Sequence, residues 1–265
     1  MTTPLRRTLS LLVGWLADRK IPGFARGFVY RTYARITGAD LSEVRMPLEH
    51  FPSLQAFFIR RLKEGVRPID ASPGALVSPV DGAILNVCTI DEGRILQVKG
   101  VEYTVAELLG DPDANAKWEG AECWTVYLSP RDYHRIHAPE ACALTGVRWL
   151  DGARFSVQPS RIRRRKVLCV NERVVLDLDT EQGPLCLVLV GALNVGRMRV
   201  VGVAPYGEPA SPPPTFDRGA ELARFEMGST IVLLAPKGTY TRVSGLDPDV
   251  PVKLGEVLGR LEEHA

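Results

Sequence analysis

Two short apolar runs, Val174-Val175-Leu176-Asp177-Leu178 and Leu185-Cys186-Leu187-Val188-Leu189-Val190, are parted by Asp179-Thr180-Glu181-Gln182-Gly183-Pro184. Runs of about four to eight residues, enriched in β-branched side chains and bounded by Gly, Pro and Asp, read as strands. The same texture continues on both sides, in Ala83–Val87, Ile95–Val98, Thr125–Leu128, Met198–Val203 and Ile231–Leu234. One helix interrupts it. Thr104-Val105-Ala106-Glu107 is a capping box, followed by Leu108-Leu109 and a terminating Gly110. Upstream, Ser53 can cap a helix running from Leu54 through Leu62. The proline run Ser211-Pro212-Pro213-Pro214 reads as a rigid surface connection before the last strands. The expected fold is α+β, with N-terminal amphipathic helices followed by a mainly antiparallel β body. The expected division is a helical region over residues 1–50 and a larger domain over 51–265.

The chain has 265 residues, 45% apolar and 24% charged, with 24 Gly and 20 Pro, which excludes disordered, collagen-like and low-complexity architectures. Five cysteines, Cys88, Cys123, Cys142, Cys169 and Cys186, form no CxxC and no close pair along the chain. They argue against a disulfide framework or zinc knuckle, fit a reducing compartment, and read as small buried hydrophobes. Charge is uneven. Residues 1–38 carry seven basic side chains against one acid, Asp18, although the whole chain nets only +2. A second basic run, Arg161-Ile162-Arg163-Arg164-Arg165-Lys166, holds five cations in six residues. Both clusters imply a nearby anionic surface.

The apolar stretch Leu9–Ala17 is too short for a bilayer span, which needs about 20 residues. Asp18-Arg19-Lys20 follows it directly with no small-residue cleavage site, against a signal peptide. Leu5, Leu9, Leu12, Val13 and Leu16 share a helical face, and Phe24, Phe28 and Tyr30–Ile36 continue the pattern after Ile21-Pro22-Gly23. Such helices suit the plane of an anionic membrane, or equally a hairpin packed on the rest of the protein. No aromatic-plus-basic module for nucleic acid is evident.

Three segments can carry chemistry, and each has a plainer structural explanation. Ser78-Pro79-Val80-Asp81-Gly82 is a common turn, or a carboxylate fixed at a strand end where it can orient a histidine. Tyr127–Pro139 holds His134 and His137, two of only four histidines. No Cys or carboxylate stands at metal-ligand spacing, so proton transfer suits them better than metal binding and no metal is expected. In Phe225–Leu234, Gly228-Ser229-Thr230 is a turn, or a nucleophilic serine beside an open carbonyl. No G-x-S-x-G occurs, which excludes a hydrolase-type nucleophile elbow. Asp81, a histidine and Ser229 can form an Asp–His–Ser relay whatever their order in the chain.

Taken together, these segments resemble the phosphatidylserine decarboxylases, pyruvoyl-dependent enzymes made as self-cleaving proenzymes. The resemblance runs from about residue 50 to the C-terminus. It includes Phe57-Phe58-Ile59-Arg60-Arg61-Leu62-Lys63, Arg67-Pro68-Ile69, Ser78–Gly82, Tyr127–Pro139, Phe155–Pro159, Asn171–Val174, Val190–Gly196 and Gly219–Leu234. Each piece alone is weak, and their occurrence in order is specific. Met227, where Leu is more usual, and Gln158, where Asn is common, are minor departures.

The resemblance implies that Ser229 attacks the Gly228 carbonyl, giving an ester. Elimination and hydrolysis then leave a pyruvoyl group in place of Ser229, a β chain 1–228 and an associated α chain 229–265. Asp81 and His137 match the positions that activate the serine, and His134 matches the histidine of the later decarboxylation. Phosphatidylserine would bind as an imine to the pyruvoyl carbonyl, lose CO2 and leave as phosphatidylethanolamine. The implied partner is phosphatidylserine in an anionic membrane, met at its cytoplasmic face by a peripheral protein, possible as a homodimer, with no nucleic acid. That favours the membrane reading of the N-terminus, and Arg161–Lys166 is a second lipid contact or a solvated loop. The rivals are a pyruvoyl decarboxylase for a soluble amine acid, a non-enzymatic barrel-sandwich hybrid module suggested by Val252–Gly259, and a conventional serine hydrolase.

Overall fold

The computed structural model describes residues 17–98, 101–160, 162, 166–192, 198–226 and 229–262. Its first strands are β1 (Ala75–Val77), β2 (Gly82–Thr89), β3 (Arg94–Val98), β4 (Val101–Thr104), β5 (Glu122–Leu128), β6 (Arg135–His137), β7 (Cys142–Leu150) and β8 (Arg173–Thr180). There follow β9 (Gly183–Gly191), β10 (Met198–Val200), β11 (Thr215–Phe216), β12 (Glu221–Phe225), β13 (Ser229–Ala235), β14 (Tyr240–Arg242), β15 (Pro251–Val252) and β16 (Val257–Leu261). Eight of them make one sheet in the order β11-β7-β8-β9-β13-β5-β2-β15, every neighbour antiparallel. The fold is α+β, as expected from the punctuated apolar runs.

The central strands explain why those runs are continuous rather than alternating. Side chains on a strand point to opposite faces in turn, so a strand covered on both sides is apolar throughout. On β13, Ile231 and Leu233 enter one core layer while Val232 and Leu234 enter the other; on β9, Leu185, Leu187 and Leu189 oppose Cys186, Val188 and Val190. The first layer is closed by the small sheets β1-β16-β14 and β10-β12-β6, through Leu76, Tyr240, Leu258, Ile136 and Phe225. The second is closed by the β3–β4 hairpin and by the short helices Val105–Leu109 and Val167–Val170.

The capping box forms as read, with Glu107 N–H donating to Thr104 Oγ1 and Gly110 in the left-handed region at φ 62°. The Ser53-capped helix is shorter than its pattern, covering Leu54–Phe58 only. Tertiary partners take the rest of the predicted segment. Ile59 O accepts from Arg135, the Arg60 guanidinium reaches the carbonyl of Arg131, and Leu62 bridges to Val44. Likewise β10 stops at Val200, short of the expected Val203.

Of the N-terminal pattern, Leu5–Leu16 lies outside the described residues, and the second half is a helix, Gly23–Thr37. Its Tyr30 stacks on Phe57 with centroids 4.7 Å apart and donates to Phe51 O at 2.8 Å. Phe24, Phe28 and Ile36 on the same helix are exposed. No helix among the described residues is long and apolar enough to cross a membrane. Four cysteines are buried as expected, but Cys88 is only partly so, and it faces Cys123 across β2 and β5.

Candidate active site

Ala83, Tyr127 and Thr230 stand in one row across β2, β5 and β13. The strands β2 and β13 both run antiparallel to β5, so Asp81, just before β2, and Ser229, first residue of β13, lie at the same end of the sheet. Two inter-strand spacings, about 10 Å, separate the two strands there.

Ser229 is fully buried, paired through its backbone to Leu128 on one side and Gly191 on the other. Its Oγ has no hydrogen-bond partner among the described residues. Gly228, the expected cleavage partner, lies outside them. The Gly191 side of this frame is braced by Asn171, fully buried, whose Nδ2 donates to Gly191 O at 2.7 Å and to Phe155 O at 2.9 Å. The Phe155 N–H returns a bond to Asn171 Oδ1 at 3.0 Å. The segments Phe155–Pro159 and Asn171–Val174 thus hold the strand beside Ser229.

From Leu128 the chain turns sharply. Ser129 donates through both its N–H and its hydroxyl to Asp132 Oδ2 at 2.7 Å, and burial raises the Asp132 carboxyl above its ordinary range. That turn delivers His134, fully buried, with its ring 4.0 Å from that of Phe58 and its carbonyl accepting from Phe225 N–H. Nδ1 sits 2.9 Å from Asp132 O. A carbonyl only accepts, so Nδ1 carries the proton and Nε2 is left as a bare lone pair, with no partner among the described residues. Burial, with a smaller contribution from Arg60, pushes His134 down to about 3, so the ring is neutral at physiological pH.

His137, on β6, shows the same logic. Its Nδ1 donates to Gly219 O at 2.7 Å, and its Nε2 accepts from the Tyr133 hydroxyl at 3.2 Å. Burial lowers its pKa, against the opposing fields of Glu221 and Asp81. With Tyr133, Arg61, Arg67, Glu221 and Leu254 it lines a cavity of about 340 Å³.

Among the described residues Asp81 is hydrogen-bonded to no histidine. It is gripped by Arg67, with Nη2 at 2.6 Å from Oδ2 and Nε at 2.9 Å from Oδ1, and it accepts the Leu254 N–H at 2.9 Å. The other edge of Arg67 holds Glu43, and the two carboxylates raise the guanidinium pKa. The turn still lies against β6, because His137 N–H donates to Pro79 O at 2.9 Å. Gly82 is obligatory: a Cβ there would stand 2.5 Å from Tyr127 O. Asp81 opens onto a second cavity, about 240 Å³, shared with Arg60, Arg67, Arg131, Asp132 and Tyr133.

Arg60 carries a signal visible only in three dimensions. It is 4% exposed; Nη2 donates to Arg131 O at 2.9 Å, while Nε and Nη1 have no partner among the described residues. In the sequence it is one arginine of an Arg60-Arg61 pair, and nothing there distinguishes the buried one from the exposed one. Among the described residues no group of three or more His, Cys, Asp or Glu side chains could hold a metal ion.

The sequence matches the family model for phosphatidylserine decarboxylase over residues 54–260. Phosphatidylserine decarboxylase proenzymes of Myxococcus xanthus (strain DK1622) and Xanthomonas axonopodis pv. citri (strain 306) are each 40% identical to it. Their alignments cover 96% of this chain and 94% and 95% of theirs. That of Pseudomonas aeruginosa PAO1 is 40% identical over 94% of this chain and 91% of its own. The protein is therefore an enzyme of the decarboxylase class. It belongs to the phosphatidylserine decarboxylase family.

Proposed function

We propose that this chain is a self-processing proenzyme. It cleaves between Gly228 and Ser229, converts Ser229 to a pyruvoyl group, and decarboxylates phosphatidylserine to phosphatidylethanolamine for phospholipid synthesis. The observation that carries this reading is Ser229 itself, a buried strand-initial serine whose hydroxyl has no partner among the described residues. A hydroxyl free of hydrogen bonds fits a nucleophile that is consumed, and a backbone clamped from both sides fits a carbonyl group generated in place. A pyruvoyl carbonyl supplies an electron sink for the pair released as CO2 leaves.

His137 serves as the base for Ser229 through Nε2, which the Nδ1–Gly219 bond leaves unprotonated and which the Tyr133 hydroxyl must first release, with Asp81 favouring the protonated ring through its field. His134, neutral and bare at Nε2, moves a proton to and from the substrate carbon in the later reaction. The free edge of Arg60 takes the phosphodiester. Pairing it with the substrate carboxylate would stabilise the very charge that must vanish with CO2. The two pieces 1–228 and 229–265 stay together, because β13 is hydrogen-bonded between β5 and β9, β15 to β2 and β16 to β1.

Phe24, Phe28 and Ile36, exposed on a helix that also carries Arg31 and Arg35, dock the enzyme as a peripheral protein on the cytoplasmic face of an anionic membrane. The same helix reaches the site: Tyr33 hydroxyl donates to Pro130 O at 2.6 Å, in the turn that carries His134. Intact mass of the purified protein beside Ser229→Ala tests the proposal. Two fragments divided at 228/229, the smaller lacking one ammonia relative to a serine-initiated peptide, are expected only for the wild type, together with CO2 release from phosphatidylserine. A single full-length mass under active conditions overturns it.

A further inference from the structure

Away from the site, β2 and β5 bring two thiols together. Cys88 and Cys123 are directly opposite in the antiparallel register, and both pack in the second core layer. Opposed residues share a face of the sheet, with Cα atoms about 4.5–5.5 Å apart. A disulfide spans Cα separations of about 4.4–6.8 Å, so directly opposed residues stand within its reach.

The two thiols are unequal in a useful way. Each perturbs the other's ionisation: Cys123 lowers the Cys88 thiol, and Cys88 raises the Cys123 thiol. Cys88 is brought down to about 7 chiefly by Cys123, while Cys88 and burial together raise Cys123. Cys88 is the partly exposed member and Cys123 the enclosed one. That is the arrangement of an attacking thiol with a resolving partner behind it. The remaining cysteines stand apart: Cys186 lies beyond β13, with Leu234 between it and Cys123.

We propose that Cys88 and Cys123 are a redox site, closing to a reversible cross-strand disulfide on meeting a small aliphatic disulfide. Cys88 thiolate attacks one sulfur of the oxidant; that S–S bond breaks and one thiol leaves. Cys123 then attacks the Cys88 sulfur of the mixed disulfide, expelling the second thiol. Two protein thiols are oxidised, one small disulfide is reduced, and the two protons end on the released thiols. Cys88 is six residues beyond Gly82 along β2, about 20 Å from Asp81. The bond therefore ties the sheet at the end remote from Ser229 and does not depend on the proposed reaction.

The test is a thiol map of the full chain after incubation with glutathione disulfide, alkylated under denaturing, non-reducing conditions. The expected result is a linked pair of peptides carrying Cys88 and Cys123, reversed by dithiothreitol, with Cys142, Cys169 and Cys186 alkylated. Cys123→Ser should accumulate glutathione on Cys88, and Cys88→Ser should leave Cys123 reduced. Wild-type protein that holds glutathione on Cys88 with Cys123 alkylated, or that stays fully alkylated, overturns the proposal, and neither result requires a variant to fold.

Discussion

The centre of the large sheet and the turn that follows β5 are built on opposite terms. In β9 and β13, apolar side chains fill both faces and the backbone is paired to neighbours on both sides. A few residues away, Arg60, His134 and Ser229 are equally buried yet keep polar atoms without partners among the described residues. Buried polar atoms left unbonded cost free energy, and β5 carries others at Trp124 and Thr125; what sets Arg60, His134 and Ser229 apart is that a guanidinium, an imidazole and a hydroxyl, all able to do chemistry, gather around the one turn after β5. The rigid strands supply the position, and the turn supplies the reactive atoms.

The comparison is broken most severely at His134. Asn in its place can keep a donor toward Asp132 O but lacks the basic Nε2. On the proposed reading His134→Asn matures normally, seen as two fragments by mass, while CO2 release falls about 10²–10⁴-fold. His137→Asn should instead remain a single chain, which separates the two histidines. On the other side of the contrast, in the uncleaved Ser229→Ala background, Leu233→Ala should cost about 2–5 kcal/mol by urea unfolding, because a fully buried leucine between paired strands leaves a cavity.

Acid sharpens the difference. Burial holds His134 near 3 in the folded chain, against its ordinary 6.5, so below about pH 6.5 the unfolded chain takes up a proton that the native chain refuses. Its contribution to stability is whole above that pH and is lost as the pH falls toward about 3. In the same uncleaved Ser229→Ala background, urea midpoints measured across pH 7 to about 4.5 should fall less steeply when His134→Asn is added. The smallest effect belongs to a purely local device: Thr104→Ala removes the hydroxyl of the capping box and should cost about 1 kcal/mol by the same assay.

Local devices are also what could be read before the fold was known. Thr104, Glu107 and Gly110 interact within a few residues, and the apolar runs of β8, β9 and β13 report burial directly. The helix after Ser53 was overestimated because Ile59, Arg60 and Leu62 have helical spacing but find better partners on β6, on the turn and at Val44. Asp81 was expected beside a histidine. Its grip by Arg67 comes from a residue fourteen positions away, outside the turn that carries the carboxylate. The facing of Cys88 by Cys123 needs the β2–β5 register, which includes an irregularity between Ile84 and Asn86 that no periodicity discloses.

The double pairing of β13 bears on whether the protein can be unfolded and recovered. A precursor regains its structure as a single chain, its last strands tethered beside the gap they fill. After a break at 228/229 the same strand would have to find that gap from solution, so renaturation becomes a bimolecular event that slows with dilution. Maturation would thus turn a reversible folder into one whose assembly is a single historical act, its persistence set by how slowly the sheet opens.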